Sequence, residues 1–181
     1  MQTYFDEMTD SLFRLQKSDL IHLITTYANS NQGYREFLEL RLGQPGEQNG
    51  ASVEDFKKAI DNVLGADDLG PFLPPAKEEH IDQLVESIKE LINKGRAADV
   101  IEIVEYSFNY VENIAESIME PDDFLSQCFD QLIDIHILAC QSSAIDPQTL
   151  AERLINLENN DPYNVFLVLH TRYADLLNET R

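Results

Sequence analysis

At 181 residues the chain is sized for one domain or a short array of helical repeats, and an apolar fraction of 43% supplies a core, which argues against wholesale disorder. Its 33 acidic residues outnumber 13 basic ones for a formal charge of −20. That balance argues against direct contact with DNA, RNA or anionic membranes, because phosphate groups are met by Lys and Arg.

The opening MQTYFDEMTD is acidic and lacks a basic stretch leading into an apolar one, so no signal peptide is expected. No apolar run approaches the roughly 20 residues that span a bilayer. Cys128 and Cys140, twelve positions apart, sit about 18 Å apart along one helix and cannot bridge each other there. A cytoplasmic protein with reduced, buried thiols is the expectation.

Apolar residues recur at helical spacing almost throughout, and no segment alternates with the period of a strand. A first helix is expected near Tyr4 to Leu15. Ser18 or Asp19 would cap a second, in which Leu20, Ile21, Leu23, Ile24 and Tyr27 form the inward stripe up to about Asn29. Its partner carries Tyr34, Phe37, Leu38 and Leu42 and stops at Gly43, where a turn-rich loop runs to Gly50. Ser52 and Asp55 would cap a helix bearing Phe56, Ile60 and Val63, stopped by Gly65.

Residues 66–76, with three prolines, read as a linker between an N-terminal helical part (1–65) and C-terminal helical hairpins (77–181) of what is expected to be one continuous domain. Beyond it the spacing predicts a helix over Glu78 to Asn93, stopped by Gly95, and a longer one from Arg96 to Met119. Pro121 ends that helix, and Asp122 or Asp123 opens another to Gln141. Asp146-Pro147 starts a helix to Leu157, and Asp161-Pro162 repeats the device before a terminal helix through Leu177. The expected architecture is all-α: antiparallel helix hairpins stacked as a short HEAT/TPR-like solenoid or a helical bundle.

Charge singles out one interval. Between Arg96 and Arg153 there is no Lys or Arg, yet twelve carboxylates occur. On the helix from Arg96, Val100, Ile103, Val104, Phe108, Val111, Ile114 and Ala115 share one side. Glu102, Glu105, Glu112 and Glu116 fall opposite, with Asp99, Tyr106 and Tyr110 toward one flank. Most such stripes are simply solvated faces. Two features favour a docking ridge: no Lys stands at the i,i+4 positions that would quiet the charge, and Tyr is enriched at binding hot spots. The candidate partner-binding residues are therefore Asp99, Glu102, Glu105, Tyr106, Tyr110, Glu112 and Glu116.

Residue patterns for catalysis or metal binding are missing. No His-Glu-x-x-His, Cys-x-x-Cys, adjacent His-Asp, P-loop or Gly-x-Ser-x-Gly occurs, and Asp19-x-x-His22 is a lone approximation to the Glu-x-x-His of di-metal bundles. His136 lies among apolar residues of its helix and reads as a hydrogen-bonded core histidine. No enzymatic activity, cofactor or metal is expected.

Three stretches carry a resemblance: Asp19 to Leu42 (DLIHLITTYANSNQGYREFLELRL), Leu84 to Val111 (LVESIKELINKGRAADVIEIVEYSFNYV), and Asp146 to Leu157 (DPQTLAERLINL) with Tyr173 to Leu177 (YADLL). Together they resemble the helical-repeat region that accompanies SWIM-type zinc fingers in bacterial proteins, and related stand-alone helical domains. The zinc finger's Cys-x-Cys and Cys-x-His ligands have no counterpart here, so its nucleic-acid role does not carry over. The resemblance implies a helical scaffold with no catalytic residues.

The expected function is a non-enzymatic, acidic helical-repeat module that mediates protein–protein interaction with a basic partner. The alternative is an acidic inhibitor, of the immunity or DNA-mimicking kind, occupying a basic nucleic-acid-binding or nuclease partner.

Overall fold

A computed structural model of the chain describes residues 2–42, 50–65, 75–111, 115, 124–166 and 169–178. It is 84% helical with no strand among the described residues. Among the described residues ten α-helices are delimited: α1 (Gln2–Phe13), α2 (Lys17–Ser30), α3 (Gln32–Leu42), α4 (Val53–Leu64), α5 (Pro75–Asn93), α6 (Ala97–Ser107), α7 (Phe124–Ser143), α8 (Pro147–Asn159), α9 (Leu169–Arg172) and α10 (Ala174–Asn178). The all-α expectation holds. Loop 43–49, most of the expected linker and the segment around Pro121 fall outside the described residues.

Local chemistry sets most helix ends. Ser52 Oγ accepts from the Asp55 backbone N–H at 3.3 Å while Asp55 Oδ2 accepts from the Ser52 N–H at 2.9 Å, a reciprocal capping box that opens α4. Asp146 accepts from the Thr149 N–H at 2.9 Å, with Pro147 as the first residue of α8. The end of α5 closes as a Schellman turn: the Arg96 N–H reaches the Leu91 carbonyl, the Gly95 N–H reaches Ile92, and Gly95 takes φ +75°. An L-side chain at that φ would be strained.

Three expected boundaries differ. Neither Ser18 nor Asp19 caps α2; the cap position is Gln16, whose side chain makes no capping bond. The helix from Arg96 is interrupted after Ser107, where Phe108–Tyr110 tighten into a 3-10 turn; Val111 and Ala115 are helical again, and residues 112–114 and 116–120, up to the expected end at Met119, lie outside the described residues. Buried Ser107 donates to the Val104 carbonyl at 2.6 Å, a local bond that competes with the helical ladder. Finally, Asp161 does not open one long terminal helix. Its buried carboxylate accepts from the Tyr163 and Phe166 N–H groups at 3.1 and 2.6 Å, so it ties a turn, after which come the two short helices α9 and α10.

The helices pack mainly on the next one or two along the chain: α3 on α2, α4 and α5; α4 on α5 and α6; α5 on α6 and α7; α6 on α7. A single apolar cluster runs through this stack from Leu40 to Tyr173. The α6 side chains Val100, Ile103 and Val104 are at its centre with no exposed surface. Helix α7 contributes Leu125, Cys128, Phe129, Leu132, Ile135, Ala139 and Cys140, all buried, in line with its expected central place. Both cysteines are free and buried. Among the described residues no helix is long and apolar enough to cross a membrane.

Candidate functional site

The expected acidic ridge is built but not bare. Helix α4 packs on α6 and Arg153 reaches it from α8, so cations distant in sequence fold onto it. Lys57 Nζ donates to Glu102 at 2.6 Å, from 45 positions away, and also to Glu54 at 3.0 Å. Arg153 donates to Glu105 Oε2 at 2.9 Å, and Arg96 donates to Asp99 at 2.6 Å. The stripe of unneutralised carboxylates expected over this helix is therefore corrected for Asp99, Glu102 and Glu105. Glu112 and Glu116 lie outside the described residues.

Tyr106 and Tyr110 are not free anchors either. Both phenols donate to Asp61 of α4, Tyr106 at 2.7 Å and Tyr110 through a very short bond. Hydrogen bonding to that carboxylate holds both phenols above the ordinary tyrosine value, Tyr110 well above it. Lys57 completes the cluster by lying over the Tyr106 ring, 5.5 Å from its centroid. These contacts fasten α6 to α4.

Glu105 continues inward. Its second oxygen faces His136 Nε2 at 3.5 Å, and His136 Nδ1 meets the Tyr173 hydroxyl at 2.7 Å. With the imidazole hydrogen on Nε2, Tyr173 donates to Nδ1 and the ring points its N–H at the carboxylate. Arg153, Glu105, His136 and Tyr173 then form one polar row from surface to core, with His136 fully buried as expected. Burial pushes the Glu105 carboxyl up, but the pull of His136 and Arg153 outweighs it and leaves the group below its ordinary value. Cys140 Sγ lies 3.7 Å from His136 Nδ1. Burial and then the Glu105 charge push that thiol up to about 12, so it stays protonated. Cys140, beside a histidine and a carboxylate, is free and buried in the core. A cleft of about 290 Å³ lies outside the row, with Asn109, Arg153, Asn156 and Asn160 at its rim and Phe108 and Phe166 in its floor.

The surface least matched by the sequence expectations is on α1 and α2. The stripe of Ile21, Leu23, Ile24 and Tyr27, expected to face inward, is 50%, 53%, 41% and 46% exposed; only Ala28 of α2 is buried. On a helical wheel Leu20, Leu23, Ile24 and Tyr27 occupy a continuous arc, with Ala28 and Ile21 at its edge toward about 160°. Helix α2 packs chiefly on α3, which covers the Ala28 side and leaves the rest of the arc in solvent. From α1 and the turn after it, Met8, Leu12, Phe13 and Leu15 are exposed as well. Of the twelve large exposed apolar residues among those described, eight thus fall between Met8 and Tyr27; Leu42, Leu138, Ile155 and Tyr163 are scattered singly.

A signal for this was present in the sequence. A helix that buries its apolar stripe usually carries charge on the other side, whereas Leu20 to Tyr34 contains no Asp, Glu, Lys or Arg. Comparisons with protein-family models, with characterised proteins and with solved structures return no match.

Proposed function

We propose that the chain is a non-enzymatic helical scaffold that binds another protein, with the apolar face of α1 and α2 as its contact surface. The observation that carries this reading is that eight of the twelve exposed large apolar side chains among the described residues fall in these two consecutive helices and the turn between them. A continuous exposed apolar patch has a solvation cost that association relieves, and such patches mark interaction sites. Packing of each helix on its next one or two neighbours suits a short solenoid of the HEAT/TPR kind, as the resemblance to the SWIM-associated helical region implies. The acidic ridge has a lesser role than the sequence suggested, because Lys57, Arg96 and Arg153 occupy its described carboxylates.

A photo-crosslinking residue at Leu23 tests the reading. In cells that make the protein, position 23 should give a discrete adduct, and the same probe at the isolated Leu138 should not. Equal, diffuse labelling from both positions would remove the proposed surface.

The acidic inhibitor is retained as a second reading on one observation. Lys57 is shared by Glu54 and Glu102, and Arg172 by Asp130 and Asp134 at 2.6 and 2.7 Å, so each cluster keeps a surplus negative charge. A basic nucleic-acid-binding target would be displaced from DNA by stoichiometric protein in low salt; failure of that competition ends this reading.

A further inference from the structure

The face of α1 and α2 has a property that selects its occupant. Residues 8–34 hold all eight exposed apolar side chains and carry Asp10 and Asp19 against Arg14 and Lys17, a formal charge of zero; with Asp6 and Glu7 of α1 the stretch through α2 carries −2 of the chain's −20. Two copies of so acidic a protein repel each other over most of their surfaces, and the repulsion is least where their neutral faces meet. A neutral face is also complementary to itself, which a two-fold contact between identical patches demands.

The centre of the α2 arc, Leu23, Ile24 and Tyr27, has the aliphatic and aromatic make-up of an interface core. Lys17, Ser18, Asp19, His22, Thr25, Thr26, Asn29 and Ser30 are the polar residues of that helix, where a polar rim would form.

We infer that this face is a homodimer interface, in which α2 of one copy packs on α2 of a second through Leu23, Ile24 and Tyr27. The inference rests on the reading of this face as a protein-binding surface and names its partner. The contact is apolar while the rest of the two chains repel, so salt strengthens the dimer by screening that repulsion. A contact made of ion pairs would weaken instead.

Sedimentation of the purified full chain across about 1 μM to 1 mM, concentrations that bracket ordinary dimer affinities, tests this. The expected result is a species of twice 20.7 kDa that becomes more abundant as salt is raised. Ile24→Glu and Leu23→Glu should each weaken it by roughly 30-fold or more, as at a hot-spot position, with helical circular dichroism unchanged because both side chains are half in water. Leu138→Glu should leave the dimer intact. A wild-type chain that stays monomeric throughout overturns the inference, as does a dimer indifferent to Ile24→Glu. If the monomer still gives a discrete adduct to a different protein from position 23, the second copy is excluded while the binding surface survives. Monomeric chain that floats with phosphatidylcholine vesicles also overturns the inference, by assigning the face to lipid.

Discussion

Arg153 and Glu105 stand 48 positions apart in sequence, yet Arg153 Nη1 donates to Glu105 Oε2 at 2.9 Å. This pairing joins α8 to α6 and gives the inward-running row of Glu105, His136 and Tyr173 its cation. Arg153→Ala should destabilise the fold by about 1–2 kcal/mol, because a half-buried carboxylate loses a charged donor. Glu105→Ala should cost at least as much, since it removes both the acceptor of Arg153 and the carboxylate that faces the buried His136 Nε2 at 3.5 Å. Urea midpoints of the two single variants and the double variant would give a coupling energy, and simple additivity would show that the pair contributes nothing.

The same carboxylate sets a pH dependence. Glu105 in the folded chain lies below the ordinary value of 4.5, so its ionised form contributes stability above that pH. The contribution is lost as pH falls through the lowered folded value. Asp55, lowered by its hydrogen bonds with Ser52, acts in the same sense. The gap in urea midpoint between wild type and Glu105→Gln should be constant near neutral pH and close as the solution is acidified below about 4.5. A gap that persisted unchanged in acid would contradict this account.

Asp61 should control two tyrosines. Tyr106 and Tyr110 both donate to it, and that bonding is the main cause of their raised values. Absorbance titration of Asp61→Asn should bring two phenols back toward the ordinary value of 10.0, where wild type shows them ionising late. Identical titration curves for the two proteins would show that the cluster does not persist in solution.

Helix α4 depends on its first residue. Ser52→Ala removes one half of the capping box and should cost about 1 kcal/mol. Asp55→Ala removes the other half, and because the two bonds are reciprocal the double variant should fall short of the sum. The check is the midpoint of thermal or urea unfolding followed by circular dichroism.

What was legible in the sequence follows the range of the interactions concerned. Ser52 with Asp55, Asp146 with Pro147, and Gly95 work within a few residues, and each of these signals marks a helix end in the structure. The burial of His136 also follows from local pattern, since its neighbours one turn away, Leu132 and Cys140, are themselves core residues. The electrostatics were not legible, because the cations that meet Glu102 and Glu105 arrive on other helices and nothing within 97–152 announces them. The α2 stripe was misjudged for a related reason. Periodicity tells which residues share a face, but whether that face is covered depends on how many helices pack around it, and α2 has chiefly α3. The 3-10 turn at Phe108–Tyr110 was not legible, because the helical spacing of apolar residues runs through it from Val100 to Val111 without a break.

The neutrality of residues 8–34 gives the molecule a lopsided electrostatic shape, since the whole negative surplus is carried by the remaining residues. Adsorbed on a cationic bead or a basic surface, the protein should therefore settle in one preferred pose, with its charged body against the support and the apolar arc of α2 standing outward. Immobilised in this way it would display that arc to solution without any engineered tag to orient it.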